Sequence, residues 1–213
     1  EGVTQSFALL TSDKPVASVI LFPGGNGKTP LDKLKPGQFI NKGNFLVRIR
    51  YELARHGLMV AIVDVPSDQQ MGGMITFRHS DEHARDIAVV VDYLKAKAAM
   101  PVWLVGTSRG TESAASVAVK LGPRIDGVIL TSSITVDNRG GTSVLRLPLS
   151  SIKGSVLAVE HKDDGCHLTP PGGAAAIIAA LGANPRKKAL AFEGGDPPRS
   201  DPCEALSRHG FVG

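Results

Sequence analysis

Short apolar runs rich in β-branched residues alternate along this chain with longer stretches whose apolar positions recur every three or four residues. The runs Ser6 to Leu10, Val16 to Phe22, Leu58 to Asp64, Val102 to Gly106, Gly127 to Thr131, Ser155 to Glu160 and Lys188 to Phe192 have strand length. Continuous apolar runs of that kind suit strands covered on both faces. Between them the spacing predicts helices over Asn44 to His56, Ser80 to Ala98, Arg109 to Leu121 and Gly173 to Leu181. Their ends carry the expected punctuation: Ser80 before Asp81 and Glu82 opens the second, and Gly57, Gly122 followed by Pro123, and Gly182 close the others. Alternating β and α elements predict an α/β fold built on a mostly parallel, twisted sheet with helices on both faces.

No internal repeat or composition break divides the chain, so residues 1–213 read as a single domain, a length that buries a sizeable core. The stretch Thr135 to Lys153 is too short for a separate lid, which predicts no cap domain and an open cleft. Gly194 to Pro202 reads as a loop before a last short helix. The net charge of +4 is interspersed with acidic residues, and only Arg186-Lys187-Lys188 is compactly basic. With 5% aromatics, nucleic-acid binding is a poor reading. No apolar run approaches the roughly 20 residues that span a bilayer, and no signal peptide is legible. The chain does not open on methionine, which suggests processing or trimming.

The sharpest motif is Gly106-Thr107-Ser108-Arg109-Gly110, placed directly after an apolar strand and before an alanine-rich helix. In that context G-x-S-x-G describes a tight strand-to-helix turn that strains the serine and exposes its hydroxyl. The plainer alternative is that Ser108 only caps the helix. The order of possible partners favours the first reading. Asp163 and Asp164 end a later strand, and His209 follows near the C-terminus, matching the Ser, acid, His order of such hydrolases.

On these motifs the chain resembles the α/β-hydrolases, in particular small lidless serine esterases of the carboxylesterase and cutinase type. The resemblance runs through nearly the whole sequence, and it implies a nucleophile at Ser108, a base at His209 and an orienting acid at Asp164, with Asp163 as the alternative acid. It also implies that no metal or organic cofactor is required and that the substrate is a small ester. A thioesterase, amidase or peptidase would use the same machinery, and a non-catalytic binding protein of this fold is a separate alternative. One departure is that the family's closing helix after the histidine has no counterpart before Gly213, which points to a removed or lost segment.

The loop Phe22 to Thr29, FPGGNGKT, half-matches a phosphate-binding loop, with Leu58 to Asp64 as its acidic strand. That motif needs a glycine at position 22, and Pro23 has no N–H to offer a phosphate. In the resembling family the turn after the third strand instead donates a backbone N–H to the oxyanion. That role falls to Gly25, with Asn26 as alternative, together with the Arg109 N–H. The Arg109 side chain is expected to point to solvent.

Two decoys remain. His79 to His83 has the H-x-x-E-H form of a zinc protease motif, but Ser80 as a cap leaves His79 outside the helix, and Arg78 and His79 are left as candidates to line the cleft. Cys166, His161, His167 and Cys203 lack paired zinc-ligand spacing. Cys166 follows Asp164 by two residues and Cys203 precedes His209 by six, so a meeting of the acid and base loops brings the cysteines together as a disulfide. A bridge implies a periplasmic or secreted protein, whereas two free thiols would suit the cytoplasm.

Overall fold

The computed structural model describes residues 2–29, 31, 43–138 and 141–212. Seven strands form one sheet: β1 (Phe7–Leu10), β2 (Ala17–Phe22), β3 (Leu58–Val63), β4 (Val102–Ser108), β5 (Gly127–Ser133), β6 (Ser155–His161) and β7 (Lys187–Phe192). Their spatial order is β1-β3-β2-β4-β5-β6-β7. Only β1 runs antiparallel, against β3, while every other pair is parallel. β2, β4 and β5 hold the middle of the sheet, and the apolar runs ILF of β2 and VAI of the neighbouring β3 are almost wholly buried, as a two-sided layer requires.

Helices α2 (Asp81–Lys97), α3 (Gly110–Leu121) and α4 (Gly173–Ala180) contribute to the larger core with Ile20, Leu104, Leu130 and Ala158. α1 (Phe45–Arg55) packs Leu46 and Val47 on the opposite face against Leu21, Ile62 and Val105. Capping explains where these helices start. Asn44 accepts from the Val47 N–H and Ser80 from the His83 N–H, while Glu160 Oε2 accepts from the Gly172 and Ala174 N–H groups at the start of α4. Two short 3₁₀ turns, Val144–Arg146 and Leu149–Ser151, lie between β5 and β6.

The differences from expectation are local. β4 and β5 each run two residues further, to Ser108 and Ser133, because their ladder continues through a register shift between Thr107 and Ser108. The last short helix is a 3₁₀ turn, Arg208–Gly210. Asp64 accepts from the N–H groups of Thr29, Leu31 and Val65, so the carboxylate after β3 braces the loop after β2.

His83 is buried between Phe22 and Phe77, and neither ring nitrogen has a partner among the described residues. Burial, followed by the charge of Arg78, lowers its pKa to about 3. As pH falls below the ordinary histidine value the unfolded chain takes up a proton that the folded one refuses, so stability is lost on acidification. The loss should begin near pH 6.5 and reach about 2 kcal/mol at pH 5. Thermal unfolding measured across that range should show it, and His83→Leu should flatten the dependence.

Candidate active site

The turn from β4 into α3 is set by contacts that exclude side chains. A Cβ on Gly110 would lie 1.9 Å from the Phe22 carbonyl oxygen, and one on Gly106 would lie 2.4 Å from the Gly110 carbonyl oxygen. The chain therefore turns with almost no clearance, and Ser108 takes a φ of 50°, a left-handed conformation that serine rarely adopts. The N-cap position of α3 falls to Arg109, which makes no side-chain cap hydrogen bond, and not to Ser108. Thr111 Oγ1 donates to the Ser108 carbonyl at 2.6 Å and accepts from the Ile134 N–H at 3.2 Å, which ties the strained turn to the end of β5.

Ser108 opens onto a cleft of about 320 Å³, whose walls also include Gly24, Gly25, Asn26, Phe45 and His209. Gly24 approaches the turn so closely that its Cβ would sit 3.1 Å from the Ser108 Cβ. Gly25, the next residue, lines the same cleft as Ser108. The loop is fixed from below by Arg78, whose Nη2 donates to the Gly25 carbonyl at 3.1 Å and whose Nη1 donates to Ser113 Oγ on α3 at 2.9 Å. Burial lowers the Arg78 pKa to about 10, with Glu112 partly offsetting the effect. The guanidinium stays charged at neutral pH.

His209 and Asp164 are both buried, and Nδ1 of the ring lies 2.9 Å from Oδ2 and 3.2 Å from Oδ1 of the carboxylate. An ionised carboxylate can only accept, so Nδ1 is the donor of this pair. Asp164 also accepts from the Cys166 N–H at 2.9 Å and from Thr169 Oγ1 at 2.8 Å. Asp163 is exposed and contributes its backbone N–H to His161 Nδ1. The structure thus brings Asp164, and not Asp163, to His209.

Cys166 and Cys203 form a disulfide, so the stretches that carry Asp164 and His209 are joined covalently. With the cysteines 37 positions apart in sequence, loss of the bridge should remove about 4 kcal/mol of stability in the chain-entropy description. Cys203→Ser should therefore lower the unfolding midpoint, and reductant should lower that of the parent protein but not that of the variant.

Several polar groups around the site were invisible to sequence reasoning. Thr169 reaches the carboxylate, and Ser132 Oγ donates to the His209 carbonyl at 2.8 Å from a backbone at φ 42°. Threonine and serine in loops carry no pattern that would mark them. The Arg109 side chain does not reach into solvent as expected: Nη2 donates to Asn138 Oδ1 at 2.7 Å, and Nη1 lies 3.5 Å from the buried Glu112 carboxylate. Arg78 is buried beneath the loop after β2, and His79, on the 3₁₀ turn Phe77–His79 before the Ser80 cap, stands 3.4 Å from Glu112 outside hydrogen-bond alignment. Neither lines the cleft. No group of three or more His, Cys, Asp or Glu residues suited to a metal ion occurs among the described residues.

Sheet order and the glycine-bounded turn after β4 match the α/β-hydrolase fold, and solved structures agree. The chain is similar to a cold-adapted esterase from an Arctic intertidal metagenomic library, with 17% identity over 90% of this chain and 85% of the other and a TM-score of 0.58. It is similar to an α/β serine hydrolase homologue from Coxiella burnetii, with 16% identity, coverage of 89% and 82%, and a TM-score of 0.59. A monoacylglycerol lipase from Paleococcus ferrophilus aligns over 89% of each chain at 15% identity and a TM-score of 0.59. No family model and no curated protein matches the sequence.

Proposed function

We propose that the protein is a serine hydrolase that cleaves carboxylic esters through an acyl-enzyme. The observation that carries this reading is a buried His209–Asp164 pair facing the same cleft as a serine held at positive φ. Ser108 Oγ attacks the ester carbonyl while His209 Nε2 takes its proton. Asp164 holds the ring in the needed tautomer and stabilises the imidazolium. The oxyanion is received by the backbone N–H groups of Gly25 and Arg109, with Asn26 as the alternative to Gly25. The Arg109 N–H stands at the positive end of the α3 dipole, which favours developing negative charge. His209 then returns the proton to the leaving alcohol, and water repeats the sequence to release the acid.

The names of the fold neighbours, which include esterases and a lipase, support hydrolysis as the reaction class. A cleft of about 320 Å³ is at the small end for ligand sites, which favours a short acyl group. The disulfide supports a periplasmic or secreted location, and no helix among the described residues is long and apolar enough to cross a membrane. Release of p-nitrophenol from a series of esters of increasing acyl length tests the reading, with thioester and anilide substrates alongside. Turnover of the short esters is expected, and turnover of the anilide alone would replace the esterase assignment by an amidase.

A further inference from the structure

The segment that carries His209 contains no strand or α-helix, yet its ring must be held to within a fraction of an ångström. Its 3₁₀ turn, Arg208–Gly210, is too short to do this alone. Besides the contacts of the ring itself with Asp164 and Thr169, three outside anchors act on the chain around the histidine. The disulfide fixes Cys203, Ser132 Oγ takes the His209 carbonyl, and Arg48 holds two carbonyls on either side of the histidine.

Arg48 lies on α1, a helix set rigidly against the sheet by Leu46 and Val47. Its Nη2 donates to the Gly210 carbonyl at 2.6 Å, and its Nη1 donates to the Ala205 carbonyl at 3.3 Å and the Gly43 carbonyl at 3.0 Å. Gly43, Ala205 and Gly210 all line the catalytic cleft, so one guanidinium spans both of its walls. The guanidinium also lies over the Phe45 ring, whose centroid is 5.8 Å from the guanidinium carbon and 5.1 Å from the centroid of Phe211. No carboxylate pairs with Arg48 among the described residues. Among the described residues its hydrogen-bond acceptors are backbone carbonyls. Three acceptors set in a fork suit a planar guanidinium and not an ammonium point charge.

We infer that Arg48 is a positioning residue for the general base: it locks the His209 segment to α1 and fixes the separation between His209 and the opposite wall of the cleft. This rests on the reading of His209 as the base of Ser108. Arg48→Met keeps an apolar stem and removes every donor. Its kcat per serine titratable by a fluorophosphonate should fall about tenfold to a hundredfold with little change in KM, since misplacement by ~1 Å can cost about 10²-fold. Arg48→Lys should stand between this variant and the parent protein. Guanidinium ion added at millimolar concentration to Arg48→Ala should restore part of kcat, which a general loss of stability would not allow.

Unfolding midpoints are recorded for each variant, so that kcat is compared only at temperatures where all are folded. An Arg48→Met protein with unaltered kcat per titrated serine overturns the inference, even if its midpoint is lower, because the arginine would then be only structural. Absence of rescue in Arg48→Ala together with full activity in Arg48→Lys would also overturn it, since charge and not the fork would be sufficient. A parent protein with no turnover and no labelling would defeat the hydrolase reading itself, a result distinguishable from either.

Discussion

Ser108→Ala is expected to lower kcat for a short p-nitrophenyl ester by about 10⁶-fold, the scale on which serine hydrolases depend on an activated nucleophile. The reasoning is chemical before it is numerical. Without the hydroxyl there is no side-chain nucleophile at position 108 to form the acyl-enzyme. Alanine also fits the space, so the variant should fold. Relief of the φ 50° strain is partial, since alanine is no better suited to that conformation. Unchanged unfolding with vanished turnover would attribute the whole loss to the hydroxyl.

Asp164→Asn should cost about 10⁴-fold in kcat. The carboxylate accepts from three donors, the Cys166 N–H, Thr169 Oγ1 and His209 Nδ1. An amide has one acceptor oxygen. If that oxygen takes the Oδ1 position and keeps the Cys166 N–H, the NH₂ takes the Oδ2 position nearest Nδ1, which must then give up its proton. The proton moves to Nε2, and the nitrogen facing the cleft can no longer accept from serine. Asp163→Asn should leave activity near the parent level, because Asp163 is exposed and makes its contact with His161 through the backbone. Steady-state rates for the two neighbouring variants decide between the two aspartates.

Much of the fold was legible because it is written locally. Strand runs, helix caps and the Gly106 to Gly110 turn each depend on residues within one or two turns of chain, and the glycines there are demanded by contacts that no other residue survives. The direction of β1 was not legible, since an apolar run does not state whether its neighbour runs parallel. Order along the chain pointed to the acid and the base, but the choice between Asp163 and Asp164 depended on which carboxylate a loop turns inward.

What escaped the sequence altogether were partners at long separation. Ser132 meets a carbonyl 77 residues away, and Arg48 meets one 162 residues away. Nothing near Arg48 in the sequence distinguishes it from an arginine on a solvated helix face. The Arg109 side chain was misread for the same reason, because its partner Asn138 lies 29 residues on, in a loop with no pattern of its own.

The account stands most directly on the Ser108 hydroxyl being an activated nucleophile. Intact-mass and peptide mapping of the oxidised, folded protein after brief exposure to a fluorophosphonate tests this without any choice of substrate. One adduct per chain, on the peptide that contains Ser108, absent in Ser108→Ala and slowed at least tenfold in Asp164→Asn, is the result expected, an order of magnitude taken from the dependence of such serines on their base. A folded protein that takes no adduct, or takes it on another residue, would contradict the account.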